Sequence, residues 1–242
     1  MLDLVLTRHG TTTAGDAVLG GQLDVELSDL GRREAEALAR RLEGVRIDRI
    51  VASPMARAME TAEIVARGRP FEIDERLREL DYGRWEGLSG AELDARDPDL
   101  RIAYDADPAA THAPGGESGN DVAIRTRSFL EWLLISEHID AVPDAHLRRS
   151  ADAGGARHRP AEDSDDAATE RRVLVVAHGT LDRILMCVAL NVPIRDFRLR
   201  FVIDRAGLSV IRYESGDSPA DGQLVLANDV SHLRRPGETP WG

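Results

Sequence analysis

Short, nearly unbroken apolar runs recur along the chain, and stretches with helical spacing separate most of them. The clearest run is Val173-Leu174-Val175-Val176, and a similar one follows Met1. Unbroken runs of this length are typical of strands that are buried on both faces of a parallel sheet. The pattern predicts strands at 2–7, 47–52, 70–73, 172–177, 207–213 and 223–227.

Apolar residues spaced three and four positions apart predict the helices between these strands. The first helix has Ser28 as its predicted N-cap and ends before Gly44, and the second runs from Ala56 to Ala66. Further helices are predicted at 120–138 and 181–190. Strands that alternate with helices favour an α/β fold, a three-layer α/β/α sandwich around a mainly parallel central sheet.

Two stretches show neither pattern. Residues 96–119 hold three prolines and the pair Gly115-Gly116, which predict a loop with a short helix before it. Residues 140–171 consist mainly of Ala, Asp, Arg and Gly, and this composition favours a polar, flexible insertion. We therefore expect a single domain over residues 1–242 that carries this insertion.

The charged residues exclude several classes of chemistry. All 31 basic residues are arginine, and 43 acidic residues give a net charge of -12. A chain without lysine has no Schiff-base lysine and no P-loop lysine. Its acidic total argues against a nucleic-acid partner, which would require a basic face. Any anion-binding site must therefore gather arginines locally.

Cysteine, histidine and apolar content indicate the compartment and the cofactors. The single Cys187 cannot form an internal disulfide, which is typical of a reducing cytosol. No segment approaches the roughly 20 apolar residues of a membrane span, and the apolar N-terminal run is too short for a signal peptide. The seven histidines lack metal-ligand spacing. We expect a cytoplasmic protein with no membrane partner, no metal and no other cofactor.

Polar clusters follow three of the predicted strands. Arg8-His9 follows the first, Ser53 to Arg57 follows the second, and His178 follows the strand at 172–177. Ligands bind outside the carboxyl ends of the strands in open parallel sheets, so these groups are expected to converge. Gly10 is expected to allow a tight turn and a close approach of the backbone to a ligand. A lone histidine at a strand end is more often a capping or packing residue, so the convergence carries the inference.

Several motifs occur in order along the chain. They are Arg8-His9-Gly10 with Thr12, the loop 20–31, Ser-Pro-Met-Ala-Arg-Ala-Met-Glu-Thr-Ala at 53–62, Glu-Leu-Asp-Tyr-Gly-Arg-Trp-Glu-Gly at 79–87, Gly-Gly-Glu-Ser at 115–118, Val-Ala-His-Gly at 176–179 and Asn-Asp-Val-Ser-His-Leu at 228–233. In these motifs the chain resembles the histidine phosphatase superfamily, also called the phosphoglycerate mutase-like family. Glu26 departs from the pattern, because a proline is usual there.

This resemblance implies a phosphoglycerate mutase-like fold and a metal-independent phosphomonoester hydrolase, a histidine acid-type phosphatase. It implies that His9 is the nucleophile, which becomes a phosphohistidine, and that Glu79 is the proton donor. The substrate would be a small-molecule phosphomonoester, and a homodimer is left open. The implied catalytic residues are His9, Glu79 and His178, and the implied substrate-binding residues are Arg8, Arg57, Thr12, Gly21 and Gln22.

Physical chemistry agrees with these roles. Phosphoryl transfer needs a nucleophile in line with the leaving oxygen and positive groups around the equatorial oxygens. Arg8 and Arg57 can each offer paired N–H donors to a phosphate. His9 must be neutral at the attacking nitrogen, and either a carbonyl or a hydroxyl group would hold its other nitrogen. Asp81 and Glu86 are alternatives to Glu79 that we rank below it.

Two other functions are weighed against the phosphatase. A cofactor-dependent phosphoglycerate mutase is the alternative within the family, but the segment 82–87 resembles the phosphatase form and the chain has no lysine to hold a substrate carboxylate. A catalytically silent phosphoester-binding protein is the alternative outside it. The presence of Arg8, His9, Arg57, Glu79 and His178 weakens that interpretation.

Overall fold

The computed structural model of the chain describes residues 1–15, 17–137 and 170–234. The insertion predicted at 140–171 lies outside the described residues except for its last two positions. Of these, Arg171 is the first residue of a strand, so the chain is already regular there. The single domain over 1–242 stays a prediction.

A six-stranded mixed sheet forms the centre of the described part of the chain. In sheet order the strands are β3 (Glu72–Ile73), β2 (Arg49–Ala52), β4 (Arg171–Ala177), β1 (Leu2–Arg8), β5 (Leu208–Tyr213) and β6 (Gln223–Asp229). The first four strands are parallel to one another, whereas β5 runs antiparallel to both β1 and β6. The predicted strands are therefore confirmed, and the sheet is mainly parallel.

Helices cover both faces of this sheet. They are α1 (Asp29–Arg41), α2 (Ala56–Ala66), α3 (Gly90–Arg96), α4 (Pro98–Ala106), α5 (Gly119–Ser136), α6 (Gly179–Ala189) and the short α7 (Phe197–Arg200). Leu4 and Leu6 of β1 pack with apolar residues of α5 and α6, while Val5 between them packs with those of α1 and α2. Successive side chains of a strand point to opposite faces, so the three-layer sandwich is confirmed.

Local sequence accounts for the helix ends that lie near the sheet edge. Ser28 is the N-cap of α1, and its hydroxyl oxygen accepts a hydrogen bond from the backbone N–H of Gly31. The helix α2 has the predicted bounds, and the chain leaves it through Arg67, whose φ of 49° is left-handed. These two helices bring Thr11 and Arg57 to the carboxyl ends of the parallel strands.

The prediction of a loop over 96–119 is wrong in part, because α4 occupies 98–106. Pro98 stands in the first turn of that helix, where its missing N–H costs no helical hydrogen bond and its fixed φ suits the helix. Tyr104 on α4 is fully buried and packs edge-on against Trp85, with ring centroids 5.3 Å apart. Only the later prolines, Pro108 and Pro114, lie in non-helical chain.

No helix among residues 1–15, 17–137 and 170–234 is both long enough and apolar enough to cross a membrane. Cys187 is buried in the core beside α5 and the sheet, as expected of a structural cysteine.

Candidate active site

Three neighbouring strands end at the same place and bring the predicted histidines together. His9 follows β1 and its backbone N–H donates to Ala177 O of β4 at 3.0 Å, while Ser53 follows β2 and donates to Val176 O at 3.0 Å. His178 follows β4, which lies between these two strands. The rings of His9 and His178 meet edge-on with their centroids 5.2 Å apart, and both side chains are buried.

The hydrogen bonds of His9 fix which of its two ring nitrogens carries the proton. Its Nδ1 lies 2.7 Å from Gly10 O, an acceptor, so Nδ1 carries the proton. Its Nε2 accepts a hydrogen bond from Arg57 Nε at 3.1 Å. Burial, followed by the positive charges of Arg57 and Arg8, lowers the pKa of His9 well below its usual range. His9 is thus a neutral imidazole, and a carbonyl rather than a hydroxyl orients it.

Gly10 has a different role from the one expected. Its φ is not left-handed, so no unusual turn requires glycine there. A Cβ at this position would come within 2.5 Å of Gly31 O on α1. The absence of a side chain therefore lets the loop after His9 lie directly on α1.

Arg57 is a buried guanidinium, and each of its three nitrogens donates one hydrogen bond to a named acceptor. Nη2 donates to Gly21 O at 2.6 Å, Nη1 to Leu23 O at 2.7 Å, and Nε to His9. Burial lowers the pKa of Arg57, and the negative charge of Glu79 opposes this effect. An arginine retains its charge under such conditions. The loop 20–23 therefore aims a buried cation at the attacking nitrogen of His9.

Arg8 places a second guanidinium beside the same ring. Its Nη1 donates to Ile203 O at 3.1 Å. Its Cζ lies so close to Gly179 that a Cβ on this glycine would be 3.2 Å away. A side chain at the first residue of α6 would therefore require the Arg8 guanidinium to move by a few tenths of an ångström. The N-terminus of α6 and the cation of β1 are in contact.

Glu79 lies on the opposite side of the site and is bound by the start of α6. Its Oε1 accepts from Leu80 N at 2.8 Å and from Leu181 N at 3.0 Å, and its Oε2 accepts from Thr180 N at 3.0 Å. Unpaired N–H groups at a helix N-terminus favour negative groups, so α6 fixes this carboxylate. Its side chain is 9% exposed, and its charge acts on Arg57.

Side-chain hydrogen bonds hold the irregular segment that carries Glu79. Gln22 Nε2 donates to Glu79 O at 3.0 Å, and Arg125 Nη2 donates to the same oxygen at 3.1 Å. Glu86 Oε1 accepts from Gln22 N at 2.6 Å and from Tyr82 N at 3.2 Å. These bonds join the loop that anchors Arg57 to the segment that carries Glu79.

Asp81 and Glu86, the alternative proton donors, have different hydrogen-bonding environments from Glu79. The Glu86 carboxylate occupies the turn around Gly21, whose φ of 47° is left-handed and whose added Cβ would collide with that carboxylate. Asp81 Oδ1 accepts from Gly83 N at 2.7 Å in a local turn. Both acids therefore have a hydrogen-bonding task in the loops, whereas Glu79 faces Arg57 and the start of α6.

His178 is the N-cap of α6, but its side chain does not cap the helix. Its Nε2 instead lies 2.7 Å from Ser53 Oγ. Its Nδ1 is buried, and no residue in the described part of the chain hydrogen-bonds to it. Burial and the charge of Arg57 lower the pKa of His178 well below its usual range, so this ring is neutral too.

Thr12 is buried next to the site, and its backbone forms an isolated bridge with Leu27. Thr61 links two of the motifs directly, because its hydroxyl accepts from Gly10 N at 3.2 Å and donates to Arg57 O at 2.7 Å. The motifs around His9 and Arg57 are therefore hydrogen-bonded to one another.

Sequence reasoning missed Asp182 and Arg125, and it named Ser53 only as the start of the polar cluster after the second strand, without a role. Asp182 is fully buried on α6, and neither carboxylate oxygen has a hydrogen-bond partner among the described residues. Burial, followed by the charge of Glu79, raises its pKa well above its usual range. An acidic residue inside the apolar run of a predicted helix was the available signal. Arg125 gave no such signal, and the contact of Ser53 with His178 could not be predicted, because the partners are distant in sequence.

The arrangement combines a neutral nucleophilic nitrogen, two guanidinium groups and a carboxylate within one buried edge of the sheet. Neutral imidazole nitrogens form covalent intermediates, and guanidinium groups stabilise the oxygens of a phosphoryl group. No group of three or more His, Cys, Asp or Glu residues in the described ranges could hold a metal ion. The geometry suits phosphoryl transfer to His9.

Comparisons with known proteins agree with this geometry. The chain is 38% identical over 198 residues to glucosyl-3-phosphoglycerate phosphatase of Mycobacterium tuberculosis, a match that covers 80% of this chain and 78% of that protein. A solved mycobacterial glucosyl-3-phosphoglycerate phosphatase in complex with VO3 superposes with a TM-score of 0.72 at 30% identity, over 93% of this chain and 98% of that one. Bacillus stearothermophilus YhfR superposes with a TM-score of 0.77 at 27% identity, over 97% and 100% of the two chains.

The sequence profile of the histidine phosphatase superfamily (branch 1) matches residues 4–142 and 141–223. These ranges hold His9, Arg57, Glu79 and His178. The chain belongs to the histidine phosphatase superfamily.

Proposed function

We propose that this protein hydrolyses small phosphomonoesters through a phosphohistidine on His9. The observation that carries the proposal is the neutral His9 ring, whose Nε2 electron pair faces the buried Arg57 guanidinium. A phosphoryl group that binds there would meet a nucleophile and a cation together. The phosphatase names of the mycobacterial relatives support the same chemistry.

In the first step the His9 Nε2 electron pair forms a bond to phosphorus while the bond to the leaving oxygen breaks. Glu79, which takes up a proton beside the anionic substrate, gives that proton to the leaving oxygen. In the second step water attacks phosphorus, Glu79 takes the proton of that water, and the N–P bond breaks. Inorganic phosphate leaves, His9 is again neutral, and Glu79 is again an acid.

Arg57 has to change partners when substrate binds. Its Nε–H now points at the nitrogen that would attack phosphorus. A phosphate oxygen would take over this N–H, while Gly21 O and Leu23 O continue to hold the other end of the guanidinium. Arg8 and His178 would bind the remaining oxygens, and Thr12, Gly21 and Gln22 would line the site around them.

The neutral state of His9 supports an acid-type phosphatase, and the single Cys187, which cannot form an internal disulfide, supports a cytoplasmic location. Because burial and two arginines lower its pKa, His9 stays neutral in mildly acidic solution, where an exposed histidine is protonated. Turnover that persists between pH 5 and pH 6 is therefore expected.

The test is hydrolysis of p-nitrophenyl phosphate in EDTA from pH 5 to pH 8, with wild type, His9→Ala and the control His112→Ala. His112 is an exposed histidine that is paired with Asp121. We expect turnover by wild type and His112→Ala, with a loss of about 10,000-fold or more in His9→Ala. A base-stable, acid-labile phosphoprotein should be trapped in wild type and in His112→Ala, but not in His9→Ala. Turnover by His9→Ala at the wild-type rate would remove His9 as the nucleophile.

Substrate choice is addressed by a second assay. Glucosyl-3-phosphoglycerate is the first candidate, because the mycobacterial relatives are named for it. 3-Phosphoglycerate with 2,3-bisphosphoglycerate tests the mutase alternative. Rapid formation of 2-phosphoglycerate would replace the hydrolase by a mutase.

A further inference from the structure

His178 stands between two different neighbours at the sheet edge. Because β4 lies between β2 and β1, Ser53 is on one side of this histidine and His9 is on the other. Both Ser53 and His178 are fully buried. Nε2 of the ring is therefore hydrogen-bonded to Ser53, whereas Nδ1 has no hydrogen-bond partner among the described residues.

Hydrogen-bond accounting decides which atom of the Ser53–His178 pair donates. Ser53 Oγ already accepts a long hydrogen bond from Met55 N at 3.4 Å, so an electron pair of this oxygen is engaged. The hydroxyl proton needs an acceptor, and in the described part of the chain His178 Nε2 is the atom placed to receive it, at 2.7 Å. The reverse direction would leave both the hydroxyl proton and Nδ1 without a partner among the described residues, so Ser53 donates and Nε2 accepts.

A neutral imidazole carries one proton, and burial next to Arg57 keeps this ring neutral. If Nε2 accepts, the proton is on Nδ1. That proton is a buried donor with no acceptor among the described residues, and a buried polar group of this kind normally has a partner. An anionic phosphoryl oxygen next to His9 would supply the missing acceptor.

We propose that Ser53 is a positioning residue that keeps the proton of His178 on Nδ1, so that the neutral ring donates a hydrogen bond to the transferring phosphoryl group. This inference rests on the proposed function of the site. Without the serine, His178 could place its proton on Nε2 and turn an electron pair toward the phosphoryl oxygens. The donor would become a repulsive group at the point where negative charge develops.

Histidine-selective 15N NMR tests the proton position directly and needs no turnover. In wild type we expect a proton-bearing, pyrrole-type signal from Nδ1 of His178 and a pyridine-type signal from Nε2, assigned by their loss in His178→Gln. Inorganic phosphate is the probe ligand, and it should shift the Nδ1 signal while the tautomer stays the same. A proton on Nε2 in wild type would overturn the proposal even if the protein is an active phosphatase.

Kinetics of Ser53→Ala supply the second readout. We expect kcat to fall about 100-fold with little change in KM, together with a shift of the His178 proton to Nε2. The matched control is Ser209→Ala, because Ser209 is another buried serine, whose hydroxyl accepts from Asn228 N at 3.0 Å. It should stay within twofold of wild type.

Ser53→Cys keeps the shape of the side chain with a weaker donor, and it should lie between wild type and Ser53→Ala in kcat. It carries the test if Ser53→Ala does not fold. Unchanged tautomer and kcat in whichever variant folds would overturn the positioning role. Absence of wild-type turnover would instead count against the proposed function, and the NMR result would still stand on its own.

Discussion

The two sides of the active site are built by different means. On one side, His9, Ser53 and His178 follow directly on strands of the sheet, and main-chain bonds to Ala177 and Val176 fix two of them. On the other side, Glu79 sits in an irregular segment with only two short 3-10 turns, at Glu75–Leu77 and Gly83–Trp85. Side-chain bonds from distant residues hold that segment.

Because of this difference, substitutions on the two sides of the site should have different effects. Sheet-edge residues are placed by the same backbone ladder that stabilises the core, so single substitutions there remove a reacting group without moving its neighbours. The Glu79 segment depends on individual hydrogen bonds, each worth about 1 kcal/mol. Single substitutions there should shift the proton donor and Arg57 together.

Among the changes that test this difference, the largest effect is expected when Glu79, the proposed proton donor, is changed. Glu79→Gln should lower kcat about 100- to 10,000-fold for an alkyl phosphate, because an alkoxide needs a proton to leave. The loss should be much smaller for p-nitrophenyl phosphate, since nitrophenolate leaves without one. Steady-state assays with both substrates measure the difference. Equal losses on both would assign Glu79 to phosphate binding and not to proton transfer.

An intermediate effect is expected when the connection between the two loops is removed. Glu86→Ala deletes the acceptor of Gln22 N and Tyr82 N, and kcat/KM should fall about 10-fold. Glu86→Gln retains a carbonyl oxygen and should stay close to wild type. Glu63→Ala, an exposed change on α2, is the control. A wild-type kcat/KM in Glu86→Ala would show that the loops hold their positions without this carboxylate.

The smallest effect falls on stability. Asp182 has a raised pKa in the folded state, so unfolding lets it ionise, and wild type should lose stability relative to Asp182→Asn as the pH rises above about 4, the pKa of an unfolded aspartate. Asp182→Asn cannot ionise, so its advantage at pH 7 should be about 1.4 kcal/mol for each unit by which the fold raises this pKa. Denaturant unfolding at pH 4 and pH 7 measures the gap. A gap that does not widen with pH would show that this carboxyl is not neutral in the fold.

Sequence reasoning predicted the residues that follow the strands well, because the topology of a parallel sheet fixes where strands end. Parallel strands place their carboxyl ends along one edge, so residues that follow such strands must converge wherever they stand in the chain. His9, Arg57 and His178 were identified in this way, and the structure brings them together.

The Glu79 side could not be predicted in the same way. The bonds between Glu79 and Thr180 span 101 positions, and no periodicity in residues 75–88 indicates that this segment reaches α6. Only the motif at 79–87 pointed to the residue. Likewise, Pro98 contributed to the prediction of a loop, although proline is favourable in the first turn of a helix. The contact of Ser53 with His178 spans 125 positions. The sequence placed each residue after a strand but did not indicate that the two side chains are hydrogen-bonded.

The contact between Gly10 and Gly31 limits how the reaction can proceed in space. The loop after the nucleophile rests on α1 with no room for even a methyl group, and close-packed interiors yield little. The backbone next to His9 therefore cannot shift toward α1 as the N–P bond forms and breaks. The phosphoryl group is therefore the part that moves, from the leaving oxygen to the fixed nitrogen and then to water.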